Sequence, residues 1–213
     1  MPSTRRSADP APTAPTVDGR PVGDRMLGWV LLVAALVGEA ASLTLSVERF
    51  RLAADPGYLP SCDLNPVLSC GSIMSTPQAS VFGFPNPLLG VAGFAVVATA
   101  GAALLARARL ADWFWAGLQL GAVGGLVFVH WLIVQSLYVI GALCPYCMVV
   151  WACTVVIFWY VTLESLRRWA TGPGRSGAVG VLQRYHVLPV VGWVAVIVVL
   201  IAIRFWDYWR TLL

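Results

Sequence analysis

The stretch "LVFVHWLIVQSLYVIGALCPYCMVVWACTVVIFWYVTL", residues 126–163, sets a Cys-Pro-x-Cys at 144–147 between two apolar runs that carry no acidic or basic side chain other than His130. In a soluble chain this tetrapeptide would point to a thioredoxin-like redox domain. Such a domain has no place between two runs of this length. Each flank has the length and apolarity of a membrane span, so the dithiol motif sits at the mouth of a membrane helix. Pro145 suits the first helical position, where its missing N–H costs nothing, and this makes Cys144 the N-cap. A thiolate at a helix N-terminus is favoured by the dipole and the free amides, so the Cys144 pKa should fall. Cys147 follows one turn inward on the same face, giving the dithiol one end toward water and the other toward lipid.

The rest of the chain agrees with a membrane setting. Of its 213 residues, 59% are hydrophobic and only 11% charged, with a mean hydropathy of +0.78. A soluble domain of this length could not bury that much apolar surface. The formal charge of +4 comes from 14 basic residues, all arginine. They gather at the ends of apolar runs and form no basic stripe, which argues against a nucleic-acid binder. Residues 1–25 are rich in Pro, Ala and charge and read as a disordered cytoplasmic tail, with residues 26–213 as the membrane domain.

Five stretches can cross a core that needs about 20 helical residues: 27–47, 87–106, 113–139, 145–163 and 187–206. With the N-terminus inside, ten arginines (5, 6, 20, 25, 107, 109, 167, 168, 175 and 184) face inward, against four (49, 51, 204 and 210) outward. Gly117, Gly121 and Gly125 share one face of the third span, a spacing that lets a neighbouring helix approach closely. Mid-span Glu39 calls for a partner, with Gln119 or His130 as candidates, and His130 itself reads as a satisfied bundle residue.

This topology puts Cys62, Cys70, Cys144 and Cys147 on the outer side, where disulfides persist. Cys153 lies deeper and reads as a small hydrophobe. An inert disulfide, or a metal site built from the four outer cysteines, is the plainer alternative; the seven residues between Cys62 and Cys70 fit zinc-ligand spacing poorly. Asn86 precedes Pro87 at the start of the second span, as an ordinary N-cap would.

These residues carry a likeness. The Cys-x7-Cys of the first loop, Thr76 six residues after Cys70, "NPLLG" at 86–90 and the later C-x-x-C make the chain resemble a bacterial homologue of vitamin K epoxide reductase over roughly residues 27–163. The resemblance implies an all-α membrane protein in which four of five transmembrane helices surround a quinone, menaquinone or ubiquinone, beneath an extracytoplasmic loop. It implies a thiol oxidase of the bacterial cytoplasmic (inner) membrane that supports disulfide formation in exported proteins. An enzyme that reduces vitamin K epoxide is the second possibility. Carried over, Cys62 meets the partner, Cys70 exchanges with Cys144, Cys147 lies beside the quinone, Asn86 bonds a quinone carbonyl and Thr76 positions the cap. Trp151 stands where the family often has a tyrosine; its indole donates but cannot accept a hydrogen bond. No thioredoxin-like domain follows the fifth span, so the expected partner is a separate extracytoplasmic thioredoxin-like (DsbA-like) protein. Because the two pairs must meet, the loop has to move, with Gly71 and Gly83 as candidate hinges. Within it, "PVLSCGSIMS" (66–75) should form a short surface helix and "FGFP" (82–85) an anchor.

Overall fold

In lipid, every backbone N–H and C=O has to be satisfied within the spanning segment, so long apolar runs become helices. The computed structural model describes residues 24–55, 57–169 and 173–211. Its helices are α1 (Asp24–Ala54), α2 (Cys70–Met74), α3 (Pro87–Leu105), α4 (Asp112–Val134), α5 (Pro145–Trp169), α6 (Pro173–Arg184), α7 (Val187–Arg204) and α8 (Trp206–Arg210). A 3₁₀ turn at Pro77–Ser80 follows α2, and a π-helical turn at Gln135–Ile140 continues α4. Among the described residues there is no strand, and α1, α3, α4 with its π turn, α5 and α7 are each long and apolar enough to cross a membrane. The chain is an all-α, multi-pass membrane protein.

The five expected spans are all present, two of them longer than expected. Helix α1 runs to Ala54 rather than residue 47, and α5 to Trp169 rather than 163. Both extensions are polar, and tertiary contacts sustain them where hydropathy does not. Of the expected tail, residues 1–23 lie outside the described residues, while Asp24 and Arg25 already belong to α1.

The tightest helix pair is α1 with α3. A Cβ on Gly38 would lie 2.5 Å from the Phe94 ring, and one on Gly101 would lie 2.7 Å from the Leu32 backbone nitrogen. Small residues permit that approach, and close packing is what holds helices together where lipid is as apolar as leucine. The expected close approach at Gly117, Gly121 and Gly125 is not found. A Cβ on Gly117 or Gly121 would meet nothing within 4 Å, and one on Gly125 would make only an ordinary contact with Thr154. Their face of α4 borders a cavity.

Helix α5 packs against both α1 and α4, joining the two halves of the bundle. Leu31, Ala35, Phe94, Trp115, Cys153 and Val161 form the core, and Cys153 is there the small hydrophobe its position implied. Helix α7 lies outside, where Trp193 meets both His130 and Phe158. At one end of the bundle sit the paired cysteines; at the other sit Arg25, Arg107, Arg109 and Arg168.

Candidate redox site

The loop between α1 and α3 is fastened to the start of α5 by backbone pairing. Ser69 N–H donates to the Leu143 carbonyl at 2.9 Å and Leu143 N–H donates to the Val67 carbonyl at 2.7 Å, an isolated parallel bridge between Leu68 and Leu143. That register brings Cys70 beside Cys144. Cys62 and Cys70 form a disulfide, Cys144 and Cys147 are free thiols, and the Cys70 and Cys144 sulfurs stand 3.0 Å apart. A disulfide sulfur carries no proton, so this is an approach for exchange rather than a hydrogen bond donated by Cys70. The Cys62, Cys70 and Cys144 sulfurs all lie within 4.8 Å of one another. With two of the three joined to each other, only Cys144 could present a thiolate to a metal.

Cys144 caps α5 as its sequence position implied. Its carbonyl accepts from Met148 N–H at 3.1 Å, and its sulfur accepts from Cys147 N–H at 3.4 Å. The Cys147 thiol hydrogen bond is the largest influence lowering the Cys144 pKa; burial opposes it, and the Cys147 and Tyr146 amides reinforce it. The net direction is down. One expectation is corrected: Cys144 is only 1% exposed and Cys62 only 4%, so neither sulfur stands at water. The loop covers both.

Below the sulfurs lies an apolar cavity of about 550 Å³, lined by Thr76, Asn86, Cys147 and Trp151 among others. The four expected quinone-side residues thus come together, and the four cysteines cluster at the same end. The cavity follows α4 from Trp113 to Gln135, about 33 Å of helix at the α-helical rise. Its other wall includes Gly93 and Val96 of α3. Its size, apolar lining and few polar groups suit a ring with a long hydrocarbon tail.

Asn86 precedes α3 as expected but makes no side-chain cap bond. Its side chain turns back to the loop instead, donating to the Gln78 carbonyl at 2.7 Å and accepting from Val81 N–H at 3.1 Å. One amide proton remains for a ligand. Thr76 Oγ1 donates to the Ile73 carbonyl at 2.7 Å and so fixes the cap from within. Of the stretch 66–75, only Cys70–Met74 is α-helical, because Val67–Ser69 pair with Leu143. Phe82 and Phe84 are exposed and stacked, as an anchor would be.

Gly71 and Gly83 both have static roles. A Cβ on Gly71 would lie 2.7 Å from Asp63 Oδ2, and Gly83 sits at φ 82°. The partners expected for Glu39 are engaged elsewhere: Gln119 donates to Thr162, and His130 accepts from Trp193 Nε1–H at 3.0 Å. Since an indole only donates, the His130 proton is on Nδ1, directed to the Leu126 carbonyl at 2.8 Å. Glu39 Oε2 has no partner among the described residues.

Sequence reasoning missed three contributors. Asp63 accepts from Gly71 N–H at 2.9 Å, and Glu48 accepts from Ser61 Oγ at 2.8 Å. Arg204 of α7 donates to the Leu137 carbonyl at 2.8 Å, inside the π turn, where regular helical bonding is interrupted. None of the three has a motif; only three-dimensional proximity reveals them.

A membrane bundle with a buried disulfide beside a dithiol that reaches an apolar cavity is arranged as a membrane oxidoreductase would be. The profile of the Vitamin K epoxide reductase family matches residues 29–162. The chain belongs to that family, whose chemistry is quinone-linked thiol oxidoreduction. No curated protein matches the chain.

Proposed function

We propose that the protein is a thiol oxidase that relays electrons from an extracytoplasmic thioredoxin-like protein, through Cys62–Cys70 and then Cys144–Cys147, to a quinone. The observation that supports it best is the 3.0 Å approach of Cys70 and Cys144 directly above a cavity that Cys147 lines. In this reading the N-terminus is cytoplasmic and the cysteine end faces outward.

Each exchange balances as one S–S bond broken for one formed. The partner's dithiol attacks the Cys62 sulfur and, on resolution, leaves as a disulfide with Cys62 and Cys70 reduced. The Cys70 thiolate then attacks Cys144, displacing the Cys147 thiolate, which takes a proton. The Cys62 thiolate attacks Cys70 in that mixed disulfide and releases Cys144. The outcome is a Cys62–Cys70 disulfide with Cys144 and Cys147 reduced, which is the state in the structure. A lowered Cys144 pKa favours this last step, because a more acidic thiol leaves faster. Quinone, when bound, supplies the acceptor for two electrons and two protons. Asn86 offers it a donor, Trp151 and the glycine face of α4 shape its space, and the loop keeps water from the sulfurs.

The test is quinone reduction by purified protein supplied with a reduced thioredoxin-like donor. Cys147→Ala should abolish turnover, because Cys144 then has no disulfide to offer Cys70, and the donor should leave Cys62 and Cys70 as free thiols, mapped by non-reducing mass spectrometry. Sustained turnover in that variant would overturn the assignment.

A further inference from the structure

The end of the bundle opposite the cysteines holds a second cavity, of about 670 Å³, lined by Arg25, Arg107, Arg109, Arg168, Trp115 and Glu164 among others. Its carboxylates are accounted for. Glu164 is bound by Arg167 at 2.7 Å and by Arg168 at 2.7 Å, and Asp112 lies 3.3 Å from Arg168. Among the described residues, Arg25, Arg107 and Arg109 have no carboxylate partner. Three guanidinium groups without a carboxylate partner among the described residues therefore share one concavity at the edge of a membrane domain.

Two further observations indicate that this cavity is built for a ligand. Arg107 is the one non-glycine residue at positive φ among the described residues, at 61°. It follows α3 in a Schellman turn, with Ala108 N–H donating to the Ala103 carbonyl at 2.9 Å and Arg107 N–H to the Leu104 carbonyl at 3.0 Å. Glycine fits that place without strain, so an arginine is held there against backbone preference. In addition, Trp115 is fully buried at the wall, stacked under Arg168 at 4.8 Å, and its indole N–H has no acceptor among the described residues.

We infer that this cavity binds the phosphate of an anionic phospholipid headgroup, gripped by Arg25, Arg107 and Arg109 with the acyl chains against the leucines of α1 and α3. Guanidinium groups recognise phosphate by paired N–H donors as well as by charge, and basic pockets between membrane helices are suited to such headgroups. The inference is independent of the redox relay, and it exceeds the general preference of arginine for one side of a membrane: it requires one saturable site.

The full chain, purified in a neutral detergent, would be titrated with phosphatidylglycerol, phosphatidylcholine or inorganic phosphate and followed by native mass spectrometry. One phosphatidylglycerol should be retained, at least tenfold more tightly than phosphatidylcholine, with inorganic phosphate competing only weakly. Arg107→Gly keeps the turn and relieves its strain, so it should fold normally; combined with Arg109→Gln it should weaken phosphatidylglycerol at least tenfold. Arg184→Ala, which removes one arginine outside the cavity, should leave it unchanged. Equal retention of both lipids, undiminished binding in the double variant, an equal loss in Arg184→Ala, or tight phosphate binding that lipid does not displace would each overturn the inference.

Discussion

Removing the Asp63 carboxylate should loosen the docking of Cys70 against Cys144 without touching either sulfur. Asp63 Oδ1 accepts from Gly71 N–H at 2.9 Å, next in the chain to Cys70. A hydrogen bond to a charged group contributes about 1.5–3 kcal/mol, and the partial exposure of Asp63 places it near the lower end. A loss of about 1.5–2 kcal/mol corresponds to roughly 10- to 30-fold in the docked population. The assay uses a Cys62→Ala/Cys147→Ala/Cys153→Ala background, in which Cys70 and Cys144 are the two remaining cysteines. Equilibration with a glutathione buffer then reports their effective concentration. Asp63→Ala should lower it by that factor. Gly71→Ala should do the same by a separate route, since its Cβ would lie 2.7 Å from Asp63 Oδ2. Because both substitutions break one contact, the double variant should be little worse than either alone. Effective concentrations within about threefold of the parent in both single variants, well short of the roughly tenfold expected, would refute the reasoning.

Other outcomes follow from the same geometry. Gly121→Leu adds a side chain where a Cβ meets nothing within 4 Å, so thermal stability should hold while the KM for quinone rises severalfold as the cavity fills. Asn86→Ala removes two loop bonds and should cost about 1–3 kcal/mol in thermal unfolding; Asn86→Asp, which keeps the Val81 bond, should cost less. The Cys144 thiolate should persist below the ordinary thiol range and be lost as pH falls through its lowered pKa. Cys147→Ala deletes the largest lowering influence and should move that midpoint upward, whereas Cys147→Ser keeps a donor and should move it less; thiolate ultraviolet absorbance in a Cys153→Ala background reads both.

Spans and sulfur order were legible in the sequence because each is carried by local information. Hydropathy over a window finds α3, α4 and α7 almost to the residue, and Pro145 marks where α5 begins, though not where it ends. What the sequence concealed depends on surroundings. A stripe of glycines shows that space is available on one face of α4, but not whether a helix or a cavity fills it; the close helix contacts came from Gly38 and Gly101 instead. Glu48 lies beyond the apolar run of α1, where its bond with Ser61 and the packing of Leu52 against the cysteine cluster hold the helix's last turns. Asn86 was legible as a residue before a helix, yet its side chain serves the loop behind it rather than the helix ahead. The grouping of Thr76, Asn86, Cys147 and Trp151 followed from the family resemblance; that they line one cavity required the fold.

The proposed relay makes two opposed demands: Cys62 would have to meet a protein while Cys70 stays beside Cys144. The structure separates them into different fastenings. Cys70 is held by the Val67–Ser69 pairing with Leu143 and by Asp63. The segment bearing Cys62 is held at its other flank, where Ser61 Oγ donates to Glu48 Oε1 at 2.8 Å. Breaking that bond should loosen the Ser61 flank of Cys62, while the Asp63 contact and the pairing with Leu143 keep the register at Cys70. Glu48→Ala should therefore speed attack by a donor dithiol on the Cys62 sulfur. The bond contributes about 1–2 kcal/mol, so a roughly five- to thirtyfold gain is expected where opening limits the rate. Stopped-flow reduction of the Cys62–Cys70 disulfide measures this, and the Cys70–Cys144 effective concentration should stay constant in the same variant. If the two quantities change together, the loop moves as one body and the separation fails.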